Sequence, residues 1–81
     1  MTWEYDRETK WHTNQVPDFD AFVFVYKTPA GDYAISAMYE GDACGGDVDY
    51  MTTLAQAKRK GELLIESHRW TDYVLQADDA E

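Results

Sequence analysis

The chain has 81 residues, of which 44% are hydrophobic and 15% aromatic, and its 16 acidic against seven basic side chains give a net charge of −9. This composition excludes a disordered chain, the length limits it to one domain, and no apolar run approaches the ~20 residues of a membrane span. The charge disfavours nucleic acid and anionic membranes as partners, and it predicts a basic partner whose binding weakens with salt.

The first element in the chain is read from the stretch "WEYDRETKW" at residues 3–11. Its residues alternate, which predicts one half-buried strand with Trp3, Tyr5 and Trp11 facing inward. The carboxylates of the opposite face are Glu4, Asp6 and Glu8. Residues 14–20 are predicted to form a loop, because Pro17 cannot donate to a strand ladder and Asn and Asp favour turns.

Residues 21–27, "AFVFVYK", give the strongest strand pattern, with β-branched and aromatic side chains throughout. Phe22, Phe24 and Tyr26 share one face, while the other face is aliphatic. Because both faces are apolar, this strand is predicted to be central. Residues 28–32 predict a tight turn in which Gly31 takes a positive φ, and residues 33–40 return as the hairpin partner.

A Gly-rich acidic loop is predicted at 40–49, followed by an amphipathic helix at 53–69 that a Thr53–Gln56 capping box opens. Gly61 lies in the apolar stripe of this helix and predicts a close approach to the sheet. Residues 70–77 fit either a short closing strand or an extended segment, and 78–81 a frayed tail. The fold class is therefore α+β, with two layers, a three- to four-stranded antiparallel sheet and one helix, in a single domain over 1–81 whose acidic sheet part is 1–50.

Catalytic, metal and cofactor sites are not predicted, so the chain is not expected to be an enzyme. Cys44 lies in an acidic loop, which raises a thiol's pKa, and nothing in the sequence brings His12 or His68 to it. The loop acids miss the spacing of a calcium-binding loop, and no His/Cys cluster has zinc spacing. As the only cysteine, Cys44 rules out an internal disulfide, and the N-terminus lacks the layout of a secretory signal; together they predict a cytoplasmic location.

The carboxylates of the first strand allow two interpretations. Acids at alternate strand positions stand ~6.8 Å apart, against one charge per ~3.4 Å along each DNA strand, so a row extended by loop acids would resemble a phosphate backbone. Alternatively, the charges only protect an edge strand from unwanted pairing. Lys58, Arg59 and Lys60 form a local basic cluster, which is too small to turn a chain of this net charge into a direct nucleic-acid binder.

The order of strand, hairpin and then "TTLAQAKRKGELLIE", in a small acidic chain, resembles accessory proteins of phages and other mobile elements, of the anti-CRISPR and anti-restriction kind. This resemblance is one of layout and charge, without a specific motif. It implies a non-enzymatic inhibitor that occupies the basic nucleic-acid site of a host effector complex. The candidate steering acids are Glu4, Asp6, Glu8, Asp18, Asp20, Asp42, Asp47 and Asp49, and the candidate aromatic anchors are Tyr26, Tyr39 and Tyr50.

Two other functions remain open at this point. A self-associating interaction module, with no nucleic-acid mimicry, would bury the second apolar face of strand 21–27 against another copy. A small enzyme would use Cys44 or the acidic loop. The first predicts a homodimer, whereas the inhibitor is compatible with either a monomer or a homodimer.

Overall fold

A five-stranded antiparallel sheet with strand order β1-β2-β3-β4-β5 carries one α-helix on one side in the computed structural model, which describes residues 2–41, 46 and 48–74. The strands are β1 Glu4–Asp6, β2 Trp11–Gln15, β3 Ala21–Lys27, β4 Tyr33–Tyr39 and β5 Asp49–Met51, followed by helix α1 Leu54–Glu66 and a 3₁₀ helix Arg69–Tyr73. The predicted α+β class is confirmed, and the described residues contain one more strand than the upper prediction.

The chain from 3 to 11 is a hairpin, so the prediction of one continuous strand is wrong. The turn is made by local polar groups: Lys10 N–H donates to the Asp6 carbonyl at 2.7 Å, and Glu8 N–H donates to the Asp6 carboxylate at 2.9 Å. Thr9 Oγ1 accepts a hydrogen bond from Trp11 N–H at 3.2 Å, and Lys10 takes φ 64°. Asp and Thr side chains compete with strand ladders in this way. β2 also extends to Gln15, two residues into the predicted loop.

This turn changes which side chains share a face. Asp6 lies opposite Trp11, and Tyr5 lies opposite His12, in the β1–β2 register. Directly opposed residues point to the same side of a sheet. Trp11 therefore lies on the side of Glu4 and Asp6, away from Tyr5, and the predicted inward grouping of Trp11 with Tyr5 is wrong. Tyr5 itself is 53% exposed.

β3 is the central strand, as predicted, and it pairs with β2 on one edge and with β4 along its whole length on the other. The 28–32 turn closes this hairpin through Gly31 N–H to the Thr28 carbonyl at 3.0 Å. Gly31 has φ +98°, the positive value that the sequence predicted.

The C-terminal third differs from the prediction at three places. α1 begins after the Thr53 capping box as expected but ends at Glu66, since Ser67 Oγ donates to the Leu63 carbonyl and His68 has φ 61°. Residues 69–73 form a 3₁₀ helix, so both predictions for this segment, a closing strand and an extended segment, are wrong there, while 75–81 lie outside the described residues. β5 falls at the end of the predicted loop and pairs with β4, with Met51 opposite Tyr33.

One face of the sheet, here called the helix face, packs against α1 and the 3₁₀ helix. Its central residues Val23, Val25, Ile35 and Ala37 are all 0% exposed and contact the buried helix residues Ala57, Leu64, Ile65 and Trp70. Gly61 lets α1 approach, because a Cβ there would stand 3.1 Å from Val23 Cγ1 and 2.8 Å from Trp3 Cη2. The predicted role of Gly61 is confirmed by these distances.

The opposite face is here called the aromatic face and is defined by Trp11, Phe22, Phe24 and Tyr26. The register sets its members: Phe22 and Phe24 lie opposite Gln15 and Thr13 of β2, so these side chains point away from α1. Phe24 is 5% exposed, whereas Trp11, Phe22 and Tyr26 are half-buried. The two sides of one sheet thus differ in both side-chain type and exposure.

Candidate partner-binding surface

Two of the predicted acids lie on the aromatic face, at its β1 edge. Glu4 is paired with Thr13 and Asp6 with Trp11, so both carboxylates share the side of the rings. Both residues are exposed. Alternate residues on one strand face stand ~6.8 Å apart, which fixes the spacing of the two charges. The edge of the sheet therefore presents a short acidic row directly beside a tryptophan.

The rings of the aromatic face form a stacked ladder. Trp11 lies on Phe24 with centroids 4.3 Å apart and planes at 14°, and Phe24 lies against Tyr26 at 6.0 Å and 16°. Trp11 and Tyr26 are 6.3 Å apart, and Phe22 is 6.1 Å from Phe24. Stacked rings of this kind contribute ~0.5–1.5 kcal/mol per pair beyond their burial. The ladder is therefore a rigid apolar platform with partly exposed rings.

A depression of about 460 Å³ continues the aromatic face toward the β2–β3 loop. Its lining includes Glu4, Gln15, Phe22 and Glu40. Gln15 donates its amide hydrogens to the carbonyls of Phe19 at 2.9 Å and Ala21 at 2.8 Å, which holds this side chain against the β2–β3 loop. A second depression of about 400 Å³ runs from Glu4 to Arg7 and shares Thr13 with the first. The two adjoin at Glu4 and Thr13 and are here together called the acidic groove, whose lining also includes the basic Arg7.

The remaining predicted acids are distributed to the ends of the sheet. Glu8 lies in the β1–β2 turn, and not in a straight row with Glu4 and Asp6 as the sequence suggested. Asp18 and Asp20 lie exposed in the β2–β3 loop at the other end, where the Asp20 carbonyl accepts a bond from Glu40 N–H at 2.7 Å. Asp42 and Asp47 lie outside the described residues.

The predicted tyrosine anchors do not form one group. Tyr26 belongs to the ring ladder, but Tyr39 lies opposite Ala21 on the helix face and contacts the edge of Trp70 at 5.7 Å. Tyr50 is 59% exposed on β5 and lies opposite Ala34, which places it on the side of the aromatic face at the far edge of the sheet. Of the three, Tyr26 is the one whose ring stacks with Trp11 and Phe24.

Asp49 differs from the other predicted acids, because its carboxylate is engaged within the fold. It is on β5 and not in a loop, it accepts a hydrogen bond from Tyr73 Oη, and it stands 3.9 Å from Lys60 Nζ. Burial, this hydrogen bond and the nearby carboxylates of Asp49 and Asp72 raise the pKa of Tyr73 to about 12. The three side chains line a cleft of about 510 Å³ between β5, α1 and the 3₁₀ helix.

The basic cluster lies on the helix side of the molecule. Lys60 pairs with Asp49. On the helix face, burial lowers the pKa of His12, and the nearby positive charge of Lys58 lowers it further. Arg59 is exposed. Because α1 covers the helix face, this positive charge is separated from the acidic groove by the thickness of the sheet. Acidic side chains accompany this cluster, because Glu62 and Glu66 lie on α1 and Asp72 lies on the 3₁₀ helix.

The described residues do not assemble a catalytic constellation around the predicted candidates. His12, on β2, has its ring centroid 4.8 Å from that of Tyr5. His68, beyond the end of α1, has its ring centroid 6.0 Å from that of Phe19. Cys44 is outside the described residues. Among the residues that are described, no group of three or more His, Cys, Asp or Glu side chains is placed to hold a metal ion.

Sequence reasoning missed several residues of the groove. Phe22 and Phe24 were grouped correctly on one face, but Trp11 was assigned to the wrong side because the β1–β2 turn was not recognised. Gln15 was placed in a loop. The signal that could have found the turn is Asp6 followed by Thr9, two side chains that accept backbone hydrogen bonds in turns.

Comparison with protein families, with curated proteins and with solved structures gives no match to this chain. Within the described part of the chain, no helix has the length and hydrophobicity that crossing a membrane requires.

Proposed function

We propose that this chain is a non-enzymatic inhibitor that binds a basic surface on a nucleic-acid-handling protein or complex in the cytoplasm, in the manner of anti-CRISPR and anti-restriction proteins. The observation that carries the proposal is the placement of exposed Glu4, Asp6 and Glu40 around the acidic groove, with the basic cluster on the opposite side. Carboxylates gathered beside partly exposed rings support a directed interaction, whereas a requirement for solubility alone is satisfied by any distribution.

Electrostatic attraction and aromatic packing have different tasks in this mechanism. The exposed acids, including Asp18 and Asp20 at the end of the sheet, steer a basic surface toward the aromatic face and raise the association rate. The half-buried rings then supply the apolar contact, because aromatic residues dominate the binding energy of protein interfaces. Occupation of a basic groove by this face excludes nucleic acid from it.

The test is capture of partners from host lysate on the immobilised protein, at low and high salt and with added DNA or RNA. We expect a nucleic-acid-handling protein that is released by salt and displaced by nucleic acid. A Glu4→Gln/Asp6→Asn double variant removes two charges, and the asparagine keeps an acceptor for Glu8 N–H in the turn. It should weaken capture by about tenfold, since exposed pairs contribute ~0.2–1 kcal/mol each.

The matched control is Glu8→Gln/Glu66→Gln, which removes the same charge from the turn and from the exposed side of α1. Equal weakening by both double variants would show that only net charge matters and would contradict a specific acidic face. Capture that recovers no nucleic-acid-handling protein would overturn the proposed function.

Self-association is the second candidate, favoured by the partly exposed rings of Trp11, Phe22 and Tyr26 on a face that α1 does not cover. In a two-fold contact of the aromatic faces, Glu4 and Asp6 of both copies would enter the same interface, and such like charges oppose association. Sedimentation at micromolar concentration decides this: a monomer excludes the module, and a dimer that Trp11→Leu dissociates supports it.

A further inference from the structure

The aromatic face combines stacked rings and carboxylates in a way that selects one kind of cation. We propose that it binds arginine side chains carried at alternate positions of an extended segment of the partner, an Arg-X-Arg sequence. This inference deepens the proposed function, on which it rests for the identity of the partner, by naming the chemical group that the face recognises. Four steps of geometry support it.

The first subsite is Trp11 with Asp6. Phe24 covers one side of the Trp11 indole, with ring centroids 4.3 Å apart. Trp11 is nevertheless half-buried and not fully buried, so part of its surface is open to a ligand. A guanidinium stacks flat on such a ring, and its N–H groups then point sideways in its own plane. Asp6 is the directly opposed neighbour of Trp11, at a Cβ separation of ~4.5–5.5 Å. Its carboxylate is therefore within reach of those N–H groups.

Asp6 retains an acceptor for this purpose. One carboxylate oxygen accepts the Glu8 N–H at 2.9 Å, which holds the side chain in place at the start of the turn. The second oxygen remains for an arginine. A charge-assisted bond from a guanidinium to a carboxylate is about twice as strong as a neutral hydrogen bond.

The second subsite is the depression of about 460 Å³ beside it. Phe22 supplies an aromatic wall, and the carboxylates of Glu4 and Glu40 supply charged acceptors. A guanidinium has five donors in a plane and uses several acceptors at once, whereas an ammonium is a compact, strongly hydrated charge. Two carboxylates beside an aromatic wall therefore favour arginine over lysine.

The spacing of the two carboxylates on β1 gives the alternate pattern. Glu4 and Asp6 are separated by one residue on β1, and so lie ~6.8 Å apart on the same face. Side chains at alternate positions of an extended segment have the same separation. A segment lying along the groove thus presents one arginine to each of the two carboxylates, with the intervening residue pointing to solvent.

Nucleic acid and a second copy of the chain fit this face less well. Bases stack on aromatic platforms, but the phosphates would then lie beside Glu4, Asp6 and Glu40, and single-strand binders use basic grooves. A second copy would bring the same carboxylates. Arginine is the group that uses both the rings and the acids.

The experiment compares three probes by calorimetry and tryptophan fluorescence: a peptide Gly-Ser-Arg-Ser-Arg-Ser-Gly, its lysine counterpart of equal charge, and an oligothymidylate. We expect the arginine peptide to bind about tenfold more tightly than the lysine peptide, because stacking and multidentate bonding act on arginine alone. Equal affinity for the two peptides, or tighter binding of oligothymidylate, would overturn the inference.

Two variants locate the binding. Glu40→Gln, a change of an exposed residue after β4, should weaken the arginine peptide about threefold to fivefold, while the matched Glu66→Gln on α1 should leave its affinity unchanged. Trp11→Leu should remove the preference for arginine over lysine. Since that variant also loses a stacked pair, its folding is checked by thermal unfolding, and Glu40→Gln tests the inference without this complication. Arginine binding that neither variant weakens would overturn the assignment to this face.

Failure of this inference is distinguishable from failure of the proposed function. If the arginine peptide binds selectively but lysate capture yields no nucleic-acid-handling protein, the inference stands and the proposed function is wrong. If capture succeeds and is salt-sensitive, but Glu40→Gln and Trp11→Leu leave it unchanged, the proposed function stands and the arginine assignment is wrong.

Discussion

The two faces of the sheet are built from the same strands and have different properties. On β3, Val23 and Val25 of the helix face are 0% exposed, whereas Phe22 and Tyr26 of the aromatic face are half-buried. Acidic side chains border the aromatic face at Glu4 and Asp6, and basic ones accompany α1 over the helix face. Alternation along β3 therefore places fully buried aliphatic side chains on one face and, on either side of the buried Phe24, half-buried rings on the other.

The largest effect is expected on the helix face, at Ile35. This side chain is 0% exposed beneath α1, and truncation of such a residue costs ~2–5 kcal/mol in lost transfer energy and cavity formation. Ile35→Ala should lower the free energy of unfolding by this amount in urea, with arginine-peptide affinity unchanged below the unfolding midpoint. A large loss of affinity in the still-folded variant would show that the two faces are coupled.

For Trp11 we expect the opposite: a small loss of stability and a large loss of arginine-peptide binding. Trp11→Leu removes the stack on Phe24, and we expect a loss of about 1 kcal/mol of stability, since aromatic pairs contribute ~0.5–1.5 kcal/mol. Binding should suffer more than stability. A stability loss as large as that of Ile35→Ala would place Trp11 with the fold-stabilising residues and weaken the contrast between the faces.

The parts of the fold that were predictable from sequence are those with strong local patterns. β3 has apolar side chains on both sides and was placed at its observed bounds, and α1, with a helical stripe after a capping box, was placed correctly except that it ends three residues before the predicted 69. The β1–β2 turn was missed because the alternation of residue types continues through it without Gly or Asn-Gly. β5 is a three-residue strand whose pairing with β4 depends on tertiary context.

The candidate site was harder to predict than the fold for a related reason. Glu4 and Asp6 were named as candidate acids from the sequence, which does not show which acids are exposed. Which rings accompany them depends on register, and a turn of four residues moves Trp11 from one face to the other. Glu40 and Gln15 line the groove and are both hydrogen-bonded to the segment 19–21, and no local pattern encodes these contacts.

Gly61 tests how closely the helix face is packed. Alanine is the better helix former by ~1 kcal/mol, but a Cβ here meets Trp3 at 2.8 Å and Val23 at 3.1 Å. Overpacking costs ~1–3 kcal/mol, so Gly61→Ala should be destabilising by about 1 kcal/mol in denaturant unfolding. The Trp3 indole, which donates to Glu62 at 3.0 Å, should shift and change its fluorescence.

A double-mutant cycle with Trp3→Leu identifies the source of that cost. If the indole is the obstacle, Gly61→Ala should become neutral or stabilising in the Trp3→Leu background, where helix propensity acts alone. A cost that persists unchanged would assign the strain to Val23 and the sheet. A stabilising Gly61→Ala in the original background would contradict the close approach of α1.

The smallest predicted effect distinguishes a carboxylate used by the fold from those of the groove. The pKa of Tyr73 is raised to about 12, chiefly by burial and by its bond to Asp49, against 10.0 for a free tyrosine. The unfolded chain therefore releases this proton first, so the stabilisation is fully present below pH ~10 and is lost as the pH rises toward ~12. The upper limit is ~2.7 kcal/mol, and solvent screening of the partly exposed ring reduces the expected loss to about 1 kcal/mol.

Urea unfolding at a series of alkaline pH values measures this loss, with Tyr73→Phe as the matched variant that lacks the titrating hydroxyl. The difference in unfolding free energy between the two chains should shrink as the pH approaches ~12, because only the original chain has this proton to release. Glu4→Gln/Asp6→Asn should leave that difference unchanged, since those carboxylates border the aromatic face and do not contact Tyr73. A pH dependence that followed Glu4 and Asp6 instead would mean that the two sides of the sheet share their electrostatics, and the division between fold-stabilising and partner-binding charges would not hold.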